Sequence, residues 1–224
     1  MSPSRFLPSI LNLLFPRICI NCQKEGNYLC PDCFSLLEIS ESHQKCPGKN
    51  LDDVYFALPY KGALIKKLVR AFKYPPFIKE LGQTMSGIII AHFQMSSNVE
   101  NFKKYIVVPV PLEKKRMKWR GFNQAEEIAR HLANYFKLPL VLNALIKTNP
   151  TTPQVNLSSK KREENLKGVF SIRNAKSIYG KNILLVDDVY TTGSTMEECS
   201  GVLRQAGAKK IVGIAIARAA PGED

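Results

Sequence analysis

The stretch that decides the fold of this 224-residue chain is Ile183-Leu184-Leu185-Val186-Asp187-Asp188-Val189-Tyr190-Thr191-Thr192-Gly193-Ser194-Thr195. Its first four residues are all apolar, as in a parallel strand that is buried on both faces. Two carboxylates follow at the carboxyl end of this strand, and a run of hydroxyl residues around one glycine comes next. In residues 196–206 the apolar side chains recur at helical spacing, and Gly207 stands where a helix would end. The sequence therefore predicts a buried strand, a polar loop and a helix in succession.

The loop between this strand and this helix has the chemistry of a sugar-phosphate site. Free backbone N–H groups and the helix dipole receive a phosphate, and hydroxyl side chains add donors. Asp187 and Asp188 would repel a bare phosphate, but they can accept hydrogen bonds from a sugar diol or hold Mg²⁺ through water. The alternative is a solvated acidic turn followed by an ordinary helix cap at Ser194 or Thr195.

These thirteen residues closely resemble the 5-phosphoribosyl-1-pyrophosphate (PRPP) motif of type I phosphoribosyltransferases. That motif has four apolar residues, two acids, two variable residues, two hydroxyl residues, a glycine, any residue and a threonine, and every position is filled here. The resemblance implies that Asp187 and Asp188 are the catalytic carboxylates facing the ribose hydroxyls. It also implies that the 5′-phosphate is wrapped by the hydroxyl loop, namely Thr191, Thr192, Gly193, Ser194 and Thr195.

Length and composition fit one α/β domain with a small appendage, since 45% of the residues are hydrophobic and 23% are charged. No apolar run reaches the length of a membrane span. Residues 6–15 are largely apolar, but Pro8, Ser9 and Asn12 interrupt them and no small-residue cleavage site follows before Cys19. We therefore expect a short docking helix there rather than a signal peptide, and a cytoplasmic protein.

The net charge of +13 suits polyphosphate ligands, nucleic acid or simple solubility, and charge alone does not choose among them. One basic patch is interleaved with Trp119 and Phe122, and its members are Lys114, Lys115, Arg116, Lys118 and Arg120. A second basic run, residues 160–162, is followed at once by two glutamates.

Four cysteines near the amino end form two close pairs, Cys19-x2-Cys22 and Cys30-x2-Cys33. Two such turns complete a tetrahedral sulfur shell suited to a structural Zn²⁺ ion, which would supply much of the folding energy of a segment with little core. The alternative is two disulfides, which the reducing cytosol disfavours. Cys46 stands alone, and Cys199 falls on an apolar helix face. We therefore predict a leading helix and zinc ribbon in residues 1–50 and a second domain in residues 51–224.

The second domain alternates strands with helices, which predicts a parallel sheet covered on both faces. The expected strands are residues 51–57, 105–110, 138–145, 169–172, 183–186 and 211–217, and the expected helices are residues 63–72, 78–93, 125–136 and 196–206. In such sheets ligands bind beyond the carboxyl ends of the strands, where the hydroxyl loop lies. Residues 147–167 are polar and aperiodic, which is typical of a functional or mobile connection.

Two further stretches fit the same chemistry. After the strand at 105–110, Arg116 and Arg120 can engage a pyrophosphate, because a guanidinium fork contacts two oxygens at once. The alternative is a basic surface turn with a helix cap at Asn123. In the long polar connection, Arg162 lies near Gln154 in a loop that could close over the ligand and exclude water. The alternative for that loop is an unstructured linker.

Taken together, these segments make the chain resemble the ComF family (competence protein F and its GntX relatives), in which a cysteine ribbon precedes a phosphoribosyltransferase-type domain. The string Arg120-Gly121-Phe122-Asn123-Gln124 carries the resemblance together with the two cysteine pairs and the PRPP motif. The resemblance implies a type I phosphoribosyltransferase fold, binding of PRPP with Mg²⁺, and a role in DNA uptake during natural transformation. Many relatives carry a second cysteine pair near Cys46, whereas this chain has a single cysteine there.

Two functions follow from the resemblance. The first is a phosphoribosyltransferase, a pentosyl-transferring glycosyltransferase that releases pyrophosphate neutralised by Arg116, Arg120 and Arg162. Its acceptor and its general base are not identified by any residue pattern. The second is a non-catalytic competence accessory protein that binds single-stranded DNA or DNA-processing proteins and keeps the PRPP pocket as a sensor or relic. A scaffold whose ribbon binds a partner protein is a third alternative.

Overall fold

The structure is a computed structural model and describes residues 16–43, 45–96, 101–148 and 168–219. The strands are β1 (Asp53–Pro59), β2 (Tyr105–Pro109), β3 (Leu145–Lys147), β4 (Phe170–Ile172), β5 (Asn182–Val186), β6 (Val189–Tyr190) and β7 (Lys210–Arg218). The helices are α1 (Pro31–Phe34), α2 (Ala63–Lys73), α3 (Leu81–Met95), α4 (Lys114–Arg120), α5 (Gln124–Phe136) and α6 (Ser194–Gln205).

The main sheet is parallel, with the strand order β1-β7-β5-β2 and β6 paired to the end of β7. Strand β5 lies between β7 and β2, and its four apolar residues are fully buried. Leu184 and Val186 belong to the core shared with α2, α3 and α5, whereas Ile183 and Leu185 belong to the core shared with α6. The predicted parallel sheet with helices on both faces is confirmed, because the uninterrupted apolar run supplies a buried side chain to each layer.

The segment before the sheet packs onto the same apolar core as α2 and α3. Cys19, Cys30 and Cys33 are buried in that core, and α1 begins directly after Cys30. The Ser40 amide donates to the Ala57 carbonyl of β1 at 2.8 Å, which ties the segment to the edge of the sheet. The division of the chain at residue 50 stays a prediction.

The strand expected at residues 138–145 is wrong. The chain makes only one bridge there, between Leu140 and Val107, and then turns away from the sheet. Strand β3 begins at Leu145 and pairs antiparallel with β4 in a separate two-stranded sheet. The hydrophobic residues of this stretch are divided between two cores, since Leu138 and Leu140 pack in the core that contains Val107, whereas Ala144 and Leu145 pack in the core shared with α6.

The stretch that carries Arg116 and Arg120, for which the sequence offers a basic turn as one interpretation, forms helix α4. It has no buried residue and therefore no apolar periodicity that would predict a helix, and it ends at Gly121 with φ of 80°. The expected docking helix at residues 6–15 and the loop that carries Gln154 and Arg162 lie outside the described residues. In the part of the chain that the structure describes, no helix combines the length and hydropathy that crossing a bilayer requires.

Candidate functional site: a charged cleft at the carboxyl ends of β2 and β5

A cleft of about 170 Å³ opens where β2 and β5 end. The two strands run side by side in register, with Pro109 opposite Val186, so the segments that follow them emerge together. The cleft is lined by charged and polar side chains from four parts of the chain, namely Lys73, Glu113, Arg116, Arg120, Asn123, Gln124, Lys147, Asp187, Asp188, Thr191 and Thr195. The sheet thus brings together the acidic pair and two of the three arginines that the sequence singled out.

The backbone around the acidic pair is fixed by β7. The Asp187 amide donates to the Ile214 carbonyl, and the Ile216 amide donates to the Asp188 carbonyl, each at 2.9 Å. Within the pair, the Asp188 amide donates to Asp187 Oδ1 at 2.8 Å and the Val189 amide donates to Asp188 Oδ1 at 2.6 Å. Both carboxylates are therefore held at the floor of the cleft by groups that do not depend on a ligand.

The surroundings of Asp187 change its ionisation. Burial, together with the neighbouring negative charge of Asp188, raises the pKa of Asp187 to about 7, although Lys73 opposes the shift. Near neutral pH Asp187 therefore exchanges a proton readily. A cation or a set of hydroxyl donors placed between the carboxylates favours the doubly ionised form.

Lys73 is a site residue that the sequence pattern did not reveal. Its Nζ lies 2.9 Å from Asp188 Oδ1, and its side chain is 24% exposed. Burial works to lower the pKa of Lys73, but the ion pair with Asp188 outweighs burial and raises it. Lys73 ends α2 just before Pro75 and Pro76, and the sequence there indicates only a helix stop. No local signal places this lysine beside a carboxylate more than a hundred residues later in the chain.

Arg120 is oriented toward the cleft by Gln124. The Arg120 Nη1 donates to Gln124 Oε1 at 2.7 Å, and Gln124 Nε2 donates to the Phe72 carbonyl at 3.0 Å. The Arg120 Nε is buried and has no hydrogen-bond partner within the described residues. Burial lowers the pKa of Arg120, and Asp188 opposes that shift. A buried guanidinium with an unused donor is a ready site for an anionic oxygen.

The rest of the Arg-Gly-Phe-Asn-Gln string is structural. Phe122 is buried against Phe72, with ring centroids 5.5 Å apart. Asn123 caps α5 by accepting from the Ala125 amide, and it donates to the Val110 carbonyl at 2.9 Å. Of the two aromatic residues interleaved with the basic patch, Phe122 therefore packs against α2 and is not available on the surface, whereas Trp119 is.

The hydroxyl loop contributes Thr191 and Thr195 to the lining of the cleft. The hydroxyl groups of Thr192 and Ser194 form a hydrogen bond of 2.8 Å beside the first turn of α6. Gly193 has φ of 80°, and a Cβ there would collide with the Tyr190 hydroxyl, so only glycine fits this position. Thr192, Gly193 and Ser194 therefore shape the loop in this structure, while Thr191 and Thr195 face the cleft.

The remaining three charged groups of the lining are Glu113, Arg116 and Lys147. Arg116 Nε lies 4.0 Å from Glu113 Oε2, and the Arg116 side chain is partly exposed. Lys147 Nζ lies 5.6 Å from the centre of the Phe170 ring. Burial, aided by Arg116, lowers the pKa of Lys147. Arg162 lies outside the described residues.

A second site is formed by the four paired cysteines. Their Sγ atoms all lie within 4.8 Å of one another, and a tetrahedral zinc–thiolate site places its sulfurs about 3.8 Å apart. The Cys30 amide donates to Cys19 Sγ at 3.5 Å, and Asn21 Nδ2 donates to Cys33 Sγ at 3.4 Å. All six cysteines of the chain are free thiols in the structure. The four clustered cysteines can therefore hold a metal such as zinc.

An exposed aromatic group lies on the outer side of Arg120. Trp119 is 54% exposed and contacts Phe77 edge to face, with centroids 4.8 Å apart. Tyr74 is 44% exposed, lies 6.1 Å from Trp119 and faces the Arg120 guanidinium at 5.8 Å. We call Trp119, Tyr74 and Phe77 the aromatic shelf. The aromatic shelf lies between the basic residues of α4 and the Arg120 side chain of the cleft.

Residues 119–223 match the family described as phosphoribosyl transferase domain. The chain is 39% identical to competence protein F of Haemophilus influenzae over 114 residues, which are half of each protein. It is 27% identical to the DNA utilization protein YhgH of Escherichia coli over 205 residues, 87% of this chain and 86% of that protein. It is also 28% identical to competence protein ComFC of Streptococcus pneumoniae, over 90% of this chain and 87% of that protein.

The chain is therefore similar to competence proteins of the ComF type over most of its length, and residues 119–223 form a phosphoribosyl transferase domain. These matches confirm the resemblance to the ComF family that the sequence motifs indicate, and with it the type I phosphoribosyltransferase fold. The matched domain begins at Trp119 and so includes Arg120, both strands β5 and β7, and the complete hydroxyl loop. Lys73 and the cysteine cluster lie before it.

Proposed function

We propose that this protein binds PRPP in the charged cleft and takes part in DNA uptake and use in the cytoplasm. The observation that carries the proposal is the pairing, across one cleft, of the PRPP-motif carboxylates with Arg120, whose buried Nε has no partner in the described residues. A ligand that joins a diol to a pyrophosphate matches both halves of this cleft. The names of the relatives, competence protein and DNA utilization protein, support the process assigned here.

Each part of PRPP has a complementary group in the cleft. The 5′-phosphate binds at the amino end of α6, where Thr191 and Thr195 add hydroxyl donors to the free amides. The ribose diol donates to Asp187 and Asp188. The pyrophosphate binds Arg116 and Arg120, and Arg162 is the third arginine that we assign to it. The two carboxylates are also the residues that would hold Mg²⁺ through water, and that ion would neutralise charge on the departing pyrophosphate.

The same arrangement suits transfer of the phosphoribosyl group. When the bond between the anomeric carbon and the pyrophosphate oxygen breaks, its electron pair leaves with pyrophosphate and positive charge develops on the ribose. The carboxylates at the cleft floor stabilise that charge, and the arginines stabilise the leaving group. An acceptor nucleophile then forms the new bond to the anomeric carbon. Binding and transfer are separable, since a PRPP sensor needs only the first.

Two measurements test the proposal. We expect Mg²⁺ and PRPP to raise the midpoint of thermal unfolding in a dose-dependent way, by an equivalent of about 2.7 kcal/mol at a hundredfold excess over Kd. Inorganic phosphate at the same concentration is the control. An unchanged midpoint with PRPP contradicts the proposal. Release of pyrophosphate from PRPP with bases, nucleosides and amines as acceptors then separates a transferase from a sensor.

The aromatic shelf supports a second candidate function, binding of single-stranded DNA. An exposed tryptophan beside an exposed tyrosine offers ring faces for nucleobases, and the adjoining α4 carries Lys114, Lys115 and Lys118 for the phosphates. Such binding weakens steeply as salt rises, because phosphate contacts release counterions.

We expect Trp119→Ala to weaken binding of single-stranded DNA by about 5- to 150-fold, since one base stacked on an aromatic ring is worth about 1–3 kcal/mol. Fluorescence anisotropy with a labelled oligothymidylate measures the change. Tyr179→Ala is the matched control, because Tyr179 is 77% exposed and lies before the amino end of β5, away from the cleft. Equal affinities for the Trp119 variant and the wild-type protein would remove this candidate.

We also propose that the cysteine cluster holds one Zn²⁺ ion in a structural role. The four sulfurs supply a complete ligand set, and the donors from Cys30 and Asn21 stabilise thiolates. A closed site of this kind leaves no open position for substrate. Its contribution is therefore to folding rather than to chemistry.

A further inference from the structure

The end of α2 is anchored beside the cleft by two independent contacts. Phe72 is fully buried and packs on Phe122, and the Phe72 carbonyl accepts from Gln124. The same Gln124 orients Arg120. The backbone of Lys73, the next residue, is consequently fixed relative to the arginine and the acidic pair. This anchorage is built from core packing and a buried amide, so it persists without a ligand.

With its backbone fixed in this way, Lys73 places its ammonium group beside one oxygen of Asp188. It lies 2.9 Å from Asp188 Oδ1, which also accepts from the Val189 amide at 2.6 Å. Two donors on one oxygen fix the plane of the carboxylate. Within the described residues no donor engages Oδ2 of Asp188, and the carboxylate lines the cleft. Asp188 is therefore presented with one oxygen satisfied by the protein and the other available to a ligand hydroxyl.

The two cationic side chains near Asp188, Lys73 and Arg120, have different roles. The ammonium of Lys73 is committed to the carboxylate, whereas Arg120 keeps a buried Nε without a partner. An anionic ligand group thus meets the guanidinium, and a hydroxyl ligand group meets the carboxylate. Lys73 therefore differs in role from Arg116 and Arg120, which the proposed function assigns to binding of pyrophosphate.

We propose that Lys73 is a positioning residue of the PRPP site, whose ammonium orients the Asp188 carboxylate for the ribose diol. This inference rests on the proposed function, because it names how that site is prepared before the ligand arrives. It also assigns a role to a segment that precedes the matched phosphoribosyltransferase domain. Lys73 acts through Asp188, so its contribution must vanish when Asp188 can no longer act as a carboxylate.

A double-mutant cycle on affinity for PRPP with Mg²⁺, measured by calorimetry, tests this dependence. We expect Lys73→Met to weaken binding at least about tenfold and Lys73→Arg to restore most of the loss. In the background of Asp188→Asn, the same Lys73→Met change should alter affinity less than about twofold. Lys66→Met on the exposed face of α2 is the matched control. Melting curves without ligand check the fold, and Lys73→Gln replaces the methionine variant if that variant does not fold.

The outcomes separate the two proposals. If the wild-type protein does not bind PRPP, the proposed function fails and this inference falls with it. If the wild-type protein binds PRPP and Lys73→Met binds it equally well, only the inference about Lys73 is overturned. Additive losses from Lys73→Met and Asp188→Asn also overturn it, because Lys73 would then act on the ligand independently of Asp188. Loss of the effect in the Asp188→Asn background supports it.

Discussion

Replacing Asp187 and Asp188 together by asparagine is expected to abolish the stabilisation of the protein by PRPP and Mg²⁺. Each carboxylate would accept a hydrogen bond from the ribose diol, and a hydrogen bond to a charged group is worth about 1.5–3 kcal/mol. Loss of both should therefore weaken binding by more than about 100-fold. A thermal-shift titration with PRPP measures the effect.

The backbone of the acidic pair is held by β7 and not by its own side chains alone, so the double variant should fold. The matched control is Glu126→Gln, which removes a partly exposed carboxylate that is paired with Arg130 on α5 and does not line the cleft. That variant should respond to PRPP as the wild-type protein does. A normal thermal shift in the double variant would reject the assignment of the acidic pair.

The single variant Asp187→Asn is expected to change how stability depends on pH. The folded protein keeps a proton on Asp187 up to about pH 7, whereas the unfolded chain releases it near pH 4. The free energy of unfolding of the wild-type protein therefore falls as pH rises between these values. Asparagine removes this slope. Because solvent reaches the side chain, we expect the variant to be more stable than the wild-type protein by only about 1–2 kcal/mol at pH 8, with little difference at pH 4.

Loss of the metal from the cysteine cluster is expected to be the most damaging change to stability. Structural zinc contributes on the order of 10 kcal/mol to the folding of small domains. The buried hydrophobic side chains of residues 16–43 are Leu29 and three of the four clustered cysteines, so the cluster lies where this segment packs onto the core. Cys30→Ser should therefore lower zinc content below one ion per chain and expose residues 16–43 to protease. Zinc content by atomic absorption and limited trypsin digestion measure the two effects.

Cys46→Ser is the matched control for the cluster. Cys46 contacts the domain through its amide, which donates to Asp53 Oδ1 at 2.8 Å, and its thiol lies outside the four-sulfur group. This variant should keep its zinc and its resistance to protease. A purified wild-type protein without zinc, or a Cys30 variant that retains a full equivalent, would contradict the assignment.

The parts of the fold that the sequence predicts are those with local causes. Residues 183–186 are apolar without interruption because β5 is buried on both faces, and Gly193 is required by a positive φ in its own loop. The parallel sheet, α6 and the grouping of the four cysteines follow from patterns of this kind. Residues 138–145 are also largely apolar, but they are buried without forming a strand of the main sheet, and periodicity cannot distinguish these two cases.

The parts of the site that the sequence does not predict depend on contacts between distant segments. Lys73 meets Asp188, and Gln124 meets the Phe72 carbonyl, only after α2 and α5 have packed on the same face of the sheet. Phe122 and Trp119 stand in one basic stretch, yet the first is buried and the second exposed. Composition cannot tell which of these two aromatic residues is buried, because this depends on the path of the chain after α4.

A crystal structure of the protein with PRPP and Mg²⁺ tests the central claim most directly. We expect the 5′-phosphate at the amino end of α6 beside Thr191 and Thr195, the ribose hydroxyls within hydrogen-bond distance of Asp187 and Asp188, and a pyrophosphate oxygen on Arg120 Nε. Density for PRPP elsewhere, or a cleft that stays empty at saturating ligand while both carboxylates face bulk water, would contradict the claim.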